Sequence, residues 1–195
     1  MQTELQETET RYEPVVFASK ISWRSTKQLL GFKENLGLDF VGDRSFFGCS
    51  KAAADMYAQQ YAVRGMKVGI FRPGCITGKN HAGSEFHGML AYMAKCVREG
   101  KTYRIFGNGK NVRDQVSSYD LSTAIMEFVR EPKPNAVFNF GGGPERSISV
   151  LEAGEALSKK IGKPFLHEFH PARLGDRLWD CHDISKFRSF YPSWE

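Results

Sequence analysis

The chain has 195 residues and a formal net charge of +5, which makes one domain of roughly 150 residues and a fraction more. Hydrophobic residues at 41% and charged residues at 25% are ordinary globular usage and exclude a disordered, collagen-like or coiled-coil chain. No stretch approaches the ~20 consecutive apolar residues of a membrane span, and the basic residues are scattered rather than run together, so neither a membrane nor a nucleic acid is expected as a partner.

Residues 1–46 read as an irregular lead-in, with Gly31, Gly37 and Gly42 and no sustained period. From residue 47 to 195 the pattern becomes regular. Residues 49–64 are rich in Ala, with Ala53, Tyr57, Ala58 and Tyr61 at helical spacing and Gly65 as a stop. Residues 67–71 read as a short strand closed by Arg72-Pro73-Gly74. Residues 84–99 predict a helix with Ser84 as its cap, and residues 103–106 and 112–117 predict two strands joined as a hairpin through Gly107-Asn108-Gly109-Lys110. A helix over 119–130 ends at Pro132, a strand follows at 136–140, and Ser149 with Glu152 forms a capping box that opens a helix to about 161. An edge strand at 165–169 and a short helix capped by Asp183 complete the chain. Strands separated by helices predict an α/β fold with a largely parallel sheet.

Several motifs fail on inspection. Gly107-Asn108-Gly109-Lys110 lacks the upstream Gly and the following Ser or Thr of a phosphate-binding loop. Gly141-Gly142-Gly143 lacks the GxGxxG spacing and reads as a tight turn, and there is no GxSxG elbow. His167-Glu168-Phe169-His170 falls one residue short of HExxH and lies in a strand-like context, and Cys49, Cys75, Cys96 and Cys181 are too dispersed for a metal or disulfide framework. No metal is expected. Four scattered thiols, with an acidic polar start that is neither signal nor transit peptide, suggest the cytoplasm.

The informative segment is Ser45-Phe46-Phe47-Gly48-Cys49-Ser50-Lys51, running straight into a helix. It resembles the active-site stretch of the extended short-chain dehydrogenase/reductase family of NAD-dependent epimerases and dehydratases, where Tyr-x-x-x-Lys stands. Further segments resemble the same family in order along the chain: residues 7–12, Asp39-Phe40, Arg72-Pro73-Gly74-Cys75-Ile76-Thr77-Gly78, Gly107-Asn108-Gly109-Lys110-Asn111-Val112-Arg113-Asp114, Phe138-Asn139-Phe140-Gly141-Gly142, and Arg173-x-x-Asp176 followed by Asp183.

The resemblance implies the C-terminal part of a Rossmann-like fold, interleaved with a mixed subdomain that binds a nucleotide sugar. It implies NAD as cofactor, a CDP-sugar as substrate and a homodimer. It places Lys51 on the nicotinamide ribose and beside the catalytic position at 47, Pro73 and Gly74 against the cofactor, and Cys75, Arg113, Arg173 and Asp176 around the substrate. Two departures stand out. The family's glycine-rich dinucleotide turn has no match in the 195 residues. The catalytic Tyr position holds Phe47, which has no ionisable hydroxyl. The expectation is therefore a shortened member with weak or no activity by itself, or a non-catalytic binding module derived from that fold.

Overall fold

The computed structural model describes residues 5–14, 33–34 and 45–194. Two short strands, β1 (Leu5–Glu7) and β2 (Tyr12–Pro14), pair antiparallel inside the segment read as irregular. Its Gly31, Gly37, Gly42 and Asp39-Phe40 lie outside the described residues. The hairpin is fastened to the rest of the chain by polar groups: Lys110 Nζ donates to Glu7 Oε1 at 2.9 Å and to the Thr8 carbonyl at 2.7 Å.

Helix α1 (Phe46–Val63) starts where Ser45 Oγ accepts the Gly48 N–H at 3.0 Å, satisfying one of the free donors of the first turn. None of its eighteen residues is buried. What fixes it is an ion pair: Asp55 takes two hydrogen bonds from Arg72 on β3 (Ile70–Pro73), at 2.6 and 3.0 Å. Strand β3 pairs in parallel with β7 (Val137–Phe140). A second sheet centres on β6 (Val112–Ser117), with β4 (Cys75–Thr77) and β10 (Trp179–Asp180) parallel to it and β8 (Ser147–Ser149) antiparallel.

The hairpin expected from Gly107-Asn108-Gly109-Lys110 does not form. Strand β5 (Tyr103–Phe106) pairs in parallel with β9 (His167–His170), while β6 enters the other sheet. The turn itself is real, with Gly107 and Gly109 at φ 85° and 75°. Its second glycine packs against Leu151 and Ile105, where a Cβ would come within about 3 Å of side-chain carbons. The chain is thereby steered into a second layer instead of folding back.

Helix α2 (Met89–Glu99) begins five residues later than its predicted cap, because residues 84–87 turn back in a Ser84–His87 bridge and Gly88 enters the helix at φ 80°. The expected strand at 67–71 sits at Ile70–Pro73, and that at 165–169 at His167–His170. Helices α3 (Ser118–Arg130) and α4 (Val150–Ile161) start as read, α4 on the reciprocal Ser149–Glu152 box. In α5 (Ser185–Phe190) the cap is Ile184, and Asp183 Oδ1 accepts the Ser185 N–H at 2.8 Å.

The main core joins β6, β7, α3 and α5 through Val116, Ala124, Phe128, Phe138, Phe140, Phe187 and Tyr191. It is aromatic: Phe187 meets Phe138 and Phe140 edge-on, with ring centroids at 5.2 and 5.3 Å. A second cluster, Met93, Cys96, Tyr103, Ile105 and Ala153, lies between α2, β5 and α4. Phe187 is fully buried, so Phe187→Ala should lower stability by about 3–5 kcal/mol in urea unfolding. Val129→Ala, on the exposed side of α3, should stay within about 0.5 kcal/mol.

Candidate functional site

The parallel pairing of β4 with β6 sets Cys75 opposite Gln115, which brings the Pro73-Gly74 junction beside Arg113 and Asp114. Successive strand residues point to opposite faces. Arg113 is therefore half-exposed while Asp114 is fully buried.

Arg113 opens into a cavity of about 760 Å³ whose wall also includes Gly74, Cys75, Phe106, Arg173 and Asp176. Asp176 lies between two guanidinium groups. Arg113 Nη2 donates to its Oδ1 at 2.6 Å and Arg173 Nη2 to its Oδ2 at 3.3 Å. Arg113 is braced further by the Val112 carbonyl at 2.7 Å, and the Arg173 guanidinium lies 5.0 Å over the Phe106 ring. Burial, against the pull of Arg113, pushes the Cys75 thiol up, so it stays protonated and poorly nucleophilic.

Of the residues expected in the site, the structure gathers Gly74, Cys75, Arg113, Arg173 and Asp176 around this one cavity. Phe47, Lys51 and Pro73 are not in its wall. Phe47 is 70% exposed at the start of α1, with Lys51 Nζ 5.4 Å from its ring centroid. Residues 47, 51 and 55 share one face of the helix, so the Asp55–Arg72 pair fixes which way Phe47 and Lys51 point.

Sequence reading missed the support beneath the cavity. Asp114 Oδ2 accepts the backbone N–H of Gly143 at 3.0 Å and of His182 at 2.9 Å, and its Oδ1 lies 3.1 Å from His182 Nδ1. It also missed residues 78–88, which cover one side of the cavity and pair Glu85 with Arg104. The Arg-Asp dipeptide at 113–114 was visible in the sequence, but nothing local tells that its second member turns inward.

The Gly141–Gly143 turn is not an open cradle for a dinucleotide. A dinucleotide pyrophosphate needs open backbone N–H groups on a glycine turn at a helix start. At Gly141 a Cβ would meet Asp114 Oδ2 at 2.0 Å, at Gly142 the Gln115 carbonyl at 2.2 Å, and the Gly143 N–H is already spent on Asp114. That turn is filled by protein. Among the described residues no group of three His, Cys, Asp or Glu is placed to hold a metal ion, and no helix is long and apolar enough to cross a membrane.

Residues 11–141 match the family model described as the NAD dependent epimerase/dehydratase family. The chain belongs to that family. Among curated proteins it is 30% identical over 189 residues to CDP-paratose 2-epimerase of Salmonella typhi, covering 92% of this chain and 52% of that protein. It is 31% identical over 137 residues to UDP-glucose 4-epimerase of Mycolicibacterium smegmatis, covering 70% and 43%. The chain thus spans about half the length of the curated relatives it matches.

Among solved structures, UDP-glucose 4-epimerase of Thermotoga maritima with UDP-glucose superposes with a TM-score of 0.63 at 25% identity, covering 73% of this chain and 46% of the other. The dTDP-glucose 4,6-dehydratase of Bacillus anthracis in complex with NAD reaches 0.70 at 23%, covering 85% and 50%, a likeness of fold. The mixed α/β architecture with parallel sheets is the Rossmann-like fold of these extended short-chain dehydrogenase/reductase proteins.

The Asp114–His182 pair makes stability depend on pH. Burial works against a charged imidazole here, yet the hydrogen bond and charge of Asp114 outweigh it and hold His182 above its ordinary 6.5. A raised pKa means that folding favours the proton. The stability this lends is complete below about pH 6.5 and is lost as pH rises through the raised value. Urea midpoints should therefore fall as pH rises above about 6.5, and His182→Gln should flatten that part of the profile. Equal slopes in the two proteins would assign the dependence to other groups.

Proposed function

We propose that this chain is the nucleotide-sugar-binding part of an NAD-dependent epimerase/dehydratase of the CDP-paratose 2-epimerase type, with weak or no turnover as a separate polypeptide. The observation that carries the reading is the cavity in which Arg113, Arg173, Asp176 and Cys75 converge. Its volume of about 760 Å³ falls in the range of small-molecule sites, roughly 300–1,000 Å³. Two guanidinium groups present forked donors of the kind suited to diphosphate oxygens. A CDP-sugar is the favoured ligand because the Salmonella typhi relative matches nearly the whole chain.

In this reading Lys51 faces the nicotinamide ribose, Pro73 and Gly74 line the cofactor side, and position 47 is where a proton would leave the sugar. Phe47 cannot accept it. NAD when bound supplies hydride exchange with the sugar; this chain's residues hold the nucleotide. Lys51 does not replace the missing hydroxyl, since an ammonium group donates hydrogen bonds and has no lone pair to accept a proton.

A second reading, a binding or assembly module without chemistry, is favoured by Phe47 and Lys51 standing outside the cavity wall on an exposed helix. The proposal carries a homodimer through α1, which exposes Phe46, Phe47, Tyr57 and Tyr61, and a reducing cytoplasmic location consistent with four free cysteines.

Calorimetric titration with CDP-glucose tests the binding reading. Arg113→Lys should weaken binding markedly, because it removes a planar fork as well as a contact. Lys110→Ala should leave affinity near wild type, since Lys110 is engaged with Glu7 and Thr8 rather than with the cavity. Equal losses would reduce the site to a diffuse basic surface.

NAD should not form a micromolar complex with the 195-residue chain. One charge-assisted hydrogen bond from Lys51 is worth about 1.5–3 kcal/mol, against roughly 8 kcal/mol for micromolar affinity. A micromolar NAD isotherm would overturn this.

A further inference from the structure

Four cations and two carboxylates stand in the cavity wall: Lys79, Arg104, Arg113 and Arg173 against Glu85 and Asp176. The pairs are not evenly shared. Arg104 is matched one to one by Glu85. Arg113 and Arg173 share the single carboxylate of Asp176, leaving one positive charge on that trio. Lys79 has no ion pair among the described residues. It lies on the stretch that follows β4, one residue beyond Gly78, where a Cβ would come within 2.3 Å of Ser118 Oγ. Gly78 thus passes close to Ser118, the first residue of α3, with no room for a side chain.

Two positive charges therefore remain uncompensated, at separate places on one wall. A nucleoside diphosphate sugar carries two ionised phosphate oxygens, one on each phosphorus, joined in a single bridge. A ligand with one phosphodiester would leave the second cation unmatched.

We infer that Lys79 is a binding residue of this cavity, supplying the second positive charge that selects a diphosphate-bridged nucleotide over a singly charged one. The inference rests on the reading of the cavity as a nucleotide-sugar site and names the side chain that gives the site its charge selectivity. A four-carbon stem lets the ammonium follow the bridge from a loop, as a point charge, while the two Arg forks hold fixed geometry. Because the Lys79 head is exposed in the empty cavity, its attraction is screened by salt until the ligand displaces water from it.

The test is titration of CDP-glucose into wild type, Lys79→Gln, Lys79→Arg and Lys67→Gln at low and at raised salt. Lys67 is also exposed and lies outside the cavity, so its variant changes net charge by the same amount without touching the wall. Lys79→Gln should bind about tenfold more weakly, as expected for loss of one charge-assisted contact. Its affinity should also fall less steeply with salt. Lys79→Arg should stay within about threefold of wild type, and Lys67→Gln should match wild type. A purely structural role for Lys79 would not change the salt dependence.

Wild-type affinity in Lys79→Gln, or the same loss in Lys67→Gln, overturns the inference while leaving the cavity reading standing. Failure of the wild type itself to bind CDP-glucose overturns the cavity reading, and the inference with it.

Discussion

The arrangement depends on one buried carboxylate. Asp114 has no exposed surface, and an ion in that position is tolerated only when hydrogen bonds replace its water. The backbone N–H groups of Gly143 and His182 and the imidazole of His182 do so. Those partners come from the turn after β7 and the segment after β10, so satisfying one charge ties three distant parts of the chain together. The same carboxylate explains two glycines. A Cβ at Gly74 would lie 2.4 Å from Asp114 Oδ1, and one at Gly141 2.0 Å from Oδ2. The reverse side of the wall that presents Cys75 and Arg113 is built around Asp114.

Above this node the arginines of the cavity and the Phe47–Lys51 pair are carried by different elements. Arg113, Arg173 and Asp176 come from β6 and the segment after β9, and form a chain of ion pairs in the cavity. Phe47 and Lys51 ride on α1, joined to the sheet by Arg72–Asp55 and by no buried side chain of its own. Arg72 holds the Asp55 carboxyl below the usual range against the opposing effect of burial. Among the described residues the Asp55–Arg72 pair ties α1 to the sheet, and Phe46, Phe47, Tyr57 and Tyr61 of the helix are exposed. Phe47 and Lys51 therefore lie outside the wall in which Arg113, Arg173 and Asp176 meet.

Local chemistry was legible where it was short-range. The Ser149–Glu152 box and the Gly65 stop after α1 each rest on residues within a few positions of one another. The hairpin reading failed because its glycine turn is local, whereas the partner of β5 lies more than sixty residues away in β9. Strand β4, three residues after Pro-Gly, is too short to show a period and exists because β6 accepts it. The resemblance supplied Arg113, Arg173 and Asp176 as separate residues. That one carboxylate bridges both guanidinium groups depends on where the segment after β9 returns, which no spacing along the chain encodes. Asp114 escaped notice for the same reason: its partners lie 29 and 68 positions away.

The central claim is that this chain holds a nucleotide diphosphate through Arg113 and Arg173 at a distance from position 47. A crystal structure of the 195-residue chain soaked with CDP-glucose tests it most directly. The account predicts diphosphate oxygens at about 2.7–2.9 Å from both guanidinium groups, with Asp114 and the Gly141–Gly143 turn unmoved. A nucleotide bound elsewhere on the chain, or one seated in the cavity without touching either arginine, would contradict it.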